Sequence, residues 1–370
     1  MRKSIYVFLL GMVLLAGCAP KEIPQTGPEE DSPVPVVLGV SSDVAVESKA
    51  AIESWSGNVV NVFGLKREGS GYDYTDGNNI VDYPVKLSSG FLSSLEIYSD
   101  ASVKAPYFYE ETVLYDFFGY YLDDAEVLET RRGGMGYSME VQISGSEDLL
   151  YAYTDRKQDI IRSGNLAMNE SNLYSAHAAR NGVHPQLIFK HALSRFIFVV
   201  KGMGKKYDLV DIRGLEVRTY DRGWLTVNSG ELGFTVSEDA EMTKLYLKDS
   251  EGKVITKEDV LPNEESLPLG GAGACLMVAP GQKEMDVNLR LQIKETKESV
   301  DYAFTLRAVD IESEQGLVKE FEPGKYYTVF INVYGPEEIE ISATLQGWNK
   351  NNYEVDPDDD GVIAQDDIES

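Results

Sequence analysis

Short runs of apolar and aromatic residues alternate with turn-forming residues over most of the chain, from residue 34 to residue 345. Residues 196–200 are apolar on both faces, which predicts a central, buried strand. Residues 339–345 alternate strictly between apolar and polar side chains and indicate a half-buried antiparallel strand. In the first half, only residues 173–180 suggest a helix, and it is short. The apolar face of the last strand carries Ile339, Ile341, Ala343 and Leu345. The pattern therefore predicts an all-β fold.

Chain length and turn positions suggest two domains. The chain has 370 residues, which is enough for two domains of ordinary size. The Asn181-Gly182 turn precedes the apolar run that ends at Val200. We therefore expect an N-terminal β-sandwich domain over residues 34–184 and a C-terminal β-sandwich domain over residues 185–350.

The N-terminus has the features of an exported lipoprotein. Two basic residues precede residues 5–15, an apolar segment that is too short to span a bilayer but fits a secretory signal. The next motif, Leu15-Ala16-Gly17-Cys18, is similar to the bacterial lipobox, and the similarity implies cleavage between Gly17 and Cys18 and lipidation of Cys18. Residues 1–17 are then a signal peptide, and the proline-containing residues 18–33 form an extended linker.

The charge of the chain excludes several kinds of partner. It carries 34 basic and 61 acidic residues, a net charge of −27. A surface of this sign repels the phosphates of nucleic acids and the headgroups of anionic lipids. We therefore expect no nucleic-acid partner, and we expect the lipid on Cys18 to hold the protein at the outer membrane.

Cysteine and motif content argue against catalysis. Cys275 is the only cysteine besides Cys18, and its apolar neighbours predict a buried thiol. The sequence has no Gly-x-Ser-x-Gly, His-Glu-x-x-His or Cys-x-x-Cys motif. We predict that the chain is not an enzyme and has no catalytic residue, and we expect no cofactor other than the calcium ion considered below.

Three histidines at equal spacing, His177, His184 and His191, raise the question of a metal site. Gly182 and Pro185 interrupt any helix that could align the three side chains. We therefore expect His191 to form a hydrogen bond within a core or an interface.

The C-terminal tail, residues 351–370, contains a sharper metal signal. Residues 356–367 match the twelve-residue calcium loop, with oxygen ligands at alternate positions and a glycine at position six. They resemble the loops of dockerin-type proteins, which also end in aspartate. The competing interpretation is a disordered acidic tail, because residues 353–370 contain eight acidic residues and no basic one. The candidate calcium ligands are Asp356, Asp358, Asp360, the backbone carbonyl of Val362, and Asp367.

Several sequence blocks together resemble the fimbrillin (Mfa-like) family of Bacteroidetes-type bacteria. These blocks are residues 148–152, 189–196, 324–327 and 341–348, in that order and behind a lipobox. The resemblance implies a pair of transthyretin-like antiparallel β-sandwich domains with Greek-key connections. It also implies a surface-exposed lipoprotein that serves as an anchor, stalk or tip subunit of type V pili.

In stalk subunits of that family, a protease removes an N-terminal strand, and a strand from the next subunit fills the groove. The resemblance therefore implies other fimbrial subunits as partners, together with a host or bacterial surface ligand. Lys49 is the nearest basic residue after the first predicted strand and is the candidate processing site. The alternating residues expected of an exchanged strand are Val36, Leu38 and Val40, or Ile339, Ile341, Ala343 and Leu345.

Two alternatives remain open. Both candidate segments could be ordinary sandwich strands, and a chain that is not cut at Lys49 would keep its lipid and act as an anchor or surface adhesin. The chain could instead be a surface glycan-binding lipoprotein in which Trp55, Trp224, Trp348 and several tyrosines stack on sugar rings.

Overall fold

The computed structural model describes residues 32–42, 58–67, 72–77, 79–87, 93–96, 98–100, 105–133, 136–228, 230–249, 251–259, 265–311 and 318–347. Over these ranges the regular secondary structure is mostly β-strand with few helices, which confirms the all-β prediction. The strands are β1 Val37–Ser42, β2 Val59–Lys66, β3 Ile80–Lys86, β4 Ser93–Glu96, β5 Tyr98–Asp100, β6 Ala105–Pro106, β7 Tyr115–Tyr121, β8 Glu126–Gly133, β9 Gly136–Gln142, β10 Leu150–Thr154, β11 Gln186–His191, β12 Ser194–Gly202, β13 Val210–Tyr220, β14 Arg222–Asn228, β15 Gly233–Val236, β16 Met242–Tyr246, β17 Glu258–Asp259, β18 Leu267–Pro268, β19 Leu276–Val278, β20 Glu284–Ile293, β21 Ser299–Arg307, β22 Lys325–Gly335 and β23 Glu338–Gly347.

Helices are short in the described residues. Helix α1 spans Arg156–Ser163 and α2 spans Ala176–Arg180. Single 3-10 turns occur at Tyr207–Leu209 and Ala308–Asp310. No helix in the described part of the chain is long and apolar enough to cross a membrane.

In the part of the chain that the structure describes, the strands form four larger sheets and one two-stranded sheet. Sheet A has seven strands in the order β3-β2-β7-β10-β11-β1-β4, and sheet B has four in the order β15-β14-β9-β8. Sheet C runs β18-β12-β22-β23 with β19 also paired to β12, and sheet D runs β16-β13-β20-β21 with β17 paired to β13. Neighbouring strands are mostly antiparallel, but β1 pairs with β11, and β12 with β22, in parallel.

The described residues form three hydrophobic cores between these layers. The first joins sheets C and D and includes Phe196 and Phe198 of β12, both with no exposed surface. The second lies on one face of sheet A, where α2 and the residues before it cover the strands. The third lies on the opposite face of sheet A, beneath sheet B, and includes Cys275, which is buried as expected. Sheet A is therefore packed on both faces for part of its width.

Strand pairing crosses the predicted boundary at residues 184 and 185 in two places. Strand β11 follows that boundary but pairs with β10 and β1 in sheet A. Strand β14 lies well after it but pairs with β9 in sheet B. The division into domains over residues 34–184 and 185–350 remains a prediction.

Candidate strand-exchange site

The segment that contains β1 alternates between buried and partly exposed side chains. Val36 is 2% exposed, and Leu38 and Val40 are fully buried in the second core. Val37 and Gly39 lie between them and are partly exposed. This period of two is the pattern of a strand with one face in a core. Burial of each apolar side chain stabilises the seated strand by roughly 1.5–3 kcal/mol.

The backbone of β1 is paired along both of its edges. It runs parallel to β11, from Gly39 opposite Gln186 to Ser42 opposite Phe189, and antiparallel to β4. Just before the strand, the Val36 N–H donates to the Tyr107 carbonyl oxygen at 2.8 Å. Removal of β1 would therefore leave unpaired N–H and C=O groups on two neighbouring strands and open a groove into the second core.

Helix α1 fixes the start of β11, the strand that pairs with β1. The buried Asp159 carboxylate accepts a hydrogen bond from the Gln186 backbone N–H at 3.1 Å and another from the Tyr174 hydroxyl at 2.7 Å. Burial raises the pKa of Asp159 above its usual range, although these hydrogen bonds oppose the shift. The helix forms because Asp155 caps its N-terminus and Gly164 ends it in a left-handed conformation. Asp159 thus positions one wall of the groove.

Sequence reasoning did not identify Asp159, although a local signal was present. An Asp at position 155 and a Gly at position 164 flank an eight-residue helix, which is the usual arrangement of capping residues. That signal predicts a helix but cannot show that an aspartate within it faces the sheet.

The second exchange candidate, β23, has a different position in the fold. It pairs with β22 from Glu338 opposite Gly335 to Gly347 opposite Lys325, and no other strand of the described residues pairs with it. Ala343 is 9% exposed, and its apolar neighbours on that face are partly buried against the first core. These neighbours are Ile339, Ile341 and Leu345. Strand β23 is therefore an edge strand, whereas β1 is internal.

Several predicted site residues lie outside the described residues. They are Gly17, Cys18, Lys49, Trp55, Trp348, Asp356, Asp358, Asp360, Val362 and Asp367.

The three histidines lie in different environments. His191 is buried, and its Nδ1 lies 2.8 Å from the buried Asp148 carboxylate, in agreement with the expected hydrogen bond in a core. His177 is exposed and His184 is half-buried. No group of three or more metal-ligating side chains that could hold an ion occurs in the described ranges.

Trp224 is partly exposed and makes a cation–π contact. The Arg131 guanidinium lies over its indole ring, 3.7 Å from the ring centroid. This cation–π contact covers one face of the ring.

Comparison with known proteins identifies the family. A model of the fimbrillin-like family matches residues 48–348. The chain belongs to the fimbrillin-like family. The resemblance drawn from the sequence blocks is therefore confirmed.

Solved structures resemble this fimbrillin-like chain at low sequence identity. A fimbrial protein from Bacteroides vulgatus is 13% identical, with a TM-score of 0.50, over 84% of this chain and 99% of that one. The fimbrial anchor protein Mfa2 from Porphyromonas gingivalis is 12% identical, with a TM-score of 0.34, over 83% of this chain and 97% of that one. No protein of curated function gives a significant match. The first of these likenesses supports the fold, and family membership supports a role as a fimbrial subunit at the cell surface.

Proposed function

We propose that this fimbrillin-like chain is a structural or adhesive fimbrial subunit that joins its neighbours by β-strand addition at the position of β1. The observation that supports the proposal is the position of β1 as an internal strand, in a segment with three buried apolar side chains at alternate positions, Val36, Leu38 and Val40. A strand from another subunit with the same alternation meets the same pockets and the same unpaired backbone groups.

Processing provides the route by which β1 leaves. Lys49 lies after β1 and before β2 in the chain, so cleavage there separates β1 from the rest of the sheet. The same cut removes the lipid on Cys18. An uncut chain keeps both, and it then functions as an anchor or adhesin that is attached to the outer membrane and exposed at the surface.

Strand β23 offers a second sheet edge at which subunits can assemble. Its outer edge has no strand partner within residues 32–347 as described, so its N–H and C=O groups can pair with a neighbouring subunit without displacement of a strand. Exchange at β1 and addition at β23 are therefore distinguishable, because only the first requires processing.

The native N-terminus tests the processing step. We expect mass spectrometry of protein extracted from fimbriae to show a chain that begins at residue 50, and a Lys49→Ala variant to retain lipidated Cys18 and fail to polymerise. A Lys21→Ala variant is the matched control, because a cut at residue 21 leaves β1 in place. A lipidated Cys18 in the fimbrial shaft itself would exclude the stalk role.

Synthetic strands test the groove. A peptide of residues 34–42 should bind processed protein and raise its melting temperature. A Leu38→Asp peptide should not, since the aspartate enters an apolar pocket, whereas a Val37→Asp peptide should bind because Val37 is partly exposed. Equal behaviour of the two altered peptides would contradict strand addition at this position.

A further inference from the structure

Aromatic residues form a partly exposed surface on one face of sheet A, beside the part that sheet B covers. Phe118 of β7 lies opposite Tyr153 of β10, and Tyr151 of β10 lies opposite Lys190 of β11. The rings of Tyr151 and Tyr153 have centroids 6.5 Å apart and planes 18° apart, so their planes are nearly parallel. We name Phe118, Tyr151, Tyr153 and the adjoining Tyr72 the tyrosine face.

The tyrosine face is partly open. Phe118 and Tyr151 pack against the rim of the third core, but Tyr153 belongs to none of the three cores formed by the described residues. All the side chains of the tyrosine face are partly exposed. A partly exposed tyrosine presents apolar ring surface to solvent beside its polar hydroxyl.

Cationic side chains border the tyrosine face on both sides. On one side, Asp116 of β7 accepts hydrogen bonds from Arg156, Arg67 and the Tyr72 hydroxyl. The Tyr72 ring makes an edge contact with Phe118, with centroids 5.8 Å apart, so this cluster adjoins the aromatic surface directly. On the other side, the Lys190 ammonium donates to the Tyr153 hydroxyl at 2.7 Å and lies 4.9 Å from the centroid of that ring.

The carboxylates nearby are already engaged with protein donors. Both oxygens of Asp116 accept hydrogen bonds, and the Asp155 carboxylate accepts from the backbone N–H groups of Lys157 and Gln158 at the start of α1. Arg156 is 28% exposed, and within the described residues it uses one terminal nitrogen, for Asp116. A guanidinium has further N–H donors, so a ligand meets an excess of donors.

We propose that the tyrosine face binds an acidic oligosaccharide. The C–H face of a sugar ring stacks on Tyr151 and Tyr153, and a sugar carboxylate pairs with Arg156, whose planar donors match carboxylate geometry. A positively bordered aromatic surface is a local exception on a chain of net charge −27, which favours a negatively charged ligand at this place. This binding site is separate from the β1 groove and does not depend on strand addition.

Binding of defined sugars tests the proposal. The full mature chain is titrated with sialyllactose and with tetragalacturonate, and with lactose as the neutral comparison, and saturation-transfer NMR records the contacts. We expect saturation transfer to the ring protons of the sugars, with a stronger signal for the acidic sugars than for lactose. Absence of binding for both acidic sugars at millimolar concentration overturns the proposal, as does equal binding of lactose.

Variants locate the site. Tyr153→Ala should weaken binding about tenfold, which corresponds to about 1.4 kcal/mol, whereas Tyr153→Phe, which keeps the ring, should retain most of it. Arg156→Ala should remove the preference for acidic sugars over lactose. Tyr246→Ala is the matched control, because Tyr246 is 43% exposed on β16 of sheet D. Unchanged binding in Tyr153→Ala, with a circular dichroism spectrum that shows a folded protein, excludes this surface.

Discussion

The Asp159 carboxylate accepts a hydrogen bond from the backbone N–H of Gln186 at 3.1 Å and thereby ties α1 to the first residue of β11. The Tyr174 hydroxyl is a second donor to this carboxylate, and Arg162 pairs with it from the last turn of the helix. The buried Asp159 carboxylate therefore connects α1, the loop that contains Tyr174, and β11, the strand that pairs with β1.

The raised pKa of Asp159 predicts a pH-dependent stability. Because burial raises the folded-state pKa above the unfolded value, the folded protein binds this proton more tightly, and the stabilisation is present at low pH and lost as pH rises through the folded-state pKa. Asp159→Asn has no such proton. We therefore expect the free energy of unfolding of wild type to increase relative to that of the variant as the pH is lowered from 7 to about 4, near the usual pKa range of aspartate.

Urea denaturation at the two pH values measures this difference. Asp239→Asn, at an exposed carboxylate on the surface, is the control and should leave the pH dependence of wild type unchanged. Parallel pH profiles for wild type and Asp159→Asn would show that the Asp159 carboxylate has the same proton affinity in the folded and unfolded states.

Lys66 forms a second internal ionic cluster. Its ammonium lies 2.7 Å from Asp76 and 2.7 Å from Glu110, and the lysine side chain is 8% exposed. Lys66→Met leaves two carboxylates together without a cation, so we expect a loss of about 3 kcal/mol in the free energy of unfolding. Lys253→Met, in an exposed pair with Glu251, should cost less than about 1 kcal/mol. Similar losses in the two variants would show that the Lys66 cluster is as well solvated as a surface pair.

The burial of Leu38 in the second core predicts that truncating this side chain lowers the free energy of unfolding far more than truncating an exposed one. Leu38→Ala creates a cavity in the second core and should reduce the free energy of unfolding by about 2–5 kcal/mol. Val59→Ala on β2, where the side chain is 51% exposed, should cost less than about 0.5 kcal/mol. Thermal or urea unfolding of the unprocessed chain measures both. A small loss for Leu38→Ala would mean that the core closes readily without this side chain.

Calcium binding by the tail is open to a direct test. We expect calorimetry on the full mature chain, after treatment with a chelator, to show one calcium site, and Asp360→Ala to abolish it because a ligand and its charge are lost. Glu369 lies outside the twelve-residue loop, so Glu369→Gln is the control and should bind calcium normally. Titration of wild type without heat or conformational change would favour the acidic-tail interpretation.

The sequence predicted individual strands better than their partners. The strict alternation of residues 339–345 predicted β23, and the doubly apolar run at residues 196–200 predicted the interior of β12, because burial on one face or two is written into the local pattern. The pairing of β14 with β9 was not predicted, since that contact joins residues far apart in the chain. Helix α1 was missed because its buried residue is the polar Asp159.

The same limit applies to the candidate site. Alternation at Val36, Leu38 and Val40 predicted a strand suited to exchange, and the structure places these side chains in a core. The parallel pairing with β11 and the hydrogen bond from Gln186 to Asp159 depend on tertiary packing, which no local pattern specifies.

The order in which β1 and its neighbours are synthesised has a consequence for folding. Strand β1 is synthesised early, but β11, with which it pairs, follows about 150 residues later. The site that β1 occupies therefore cannot form until β11 has been made, and any strand present at that moment competes for it. A segment covalently joined to the same chain has a high effective concentration there, so the chain's own β1 has the advantage over a strand from another molecule in pairing with β11.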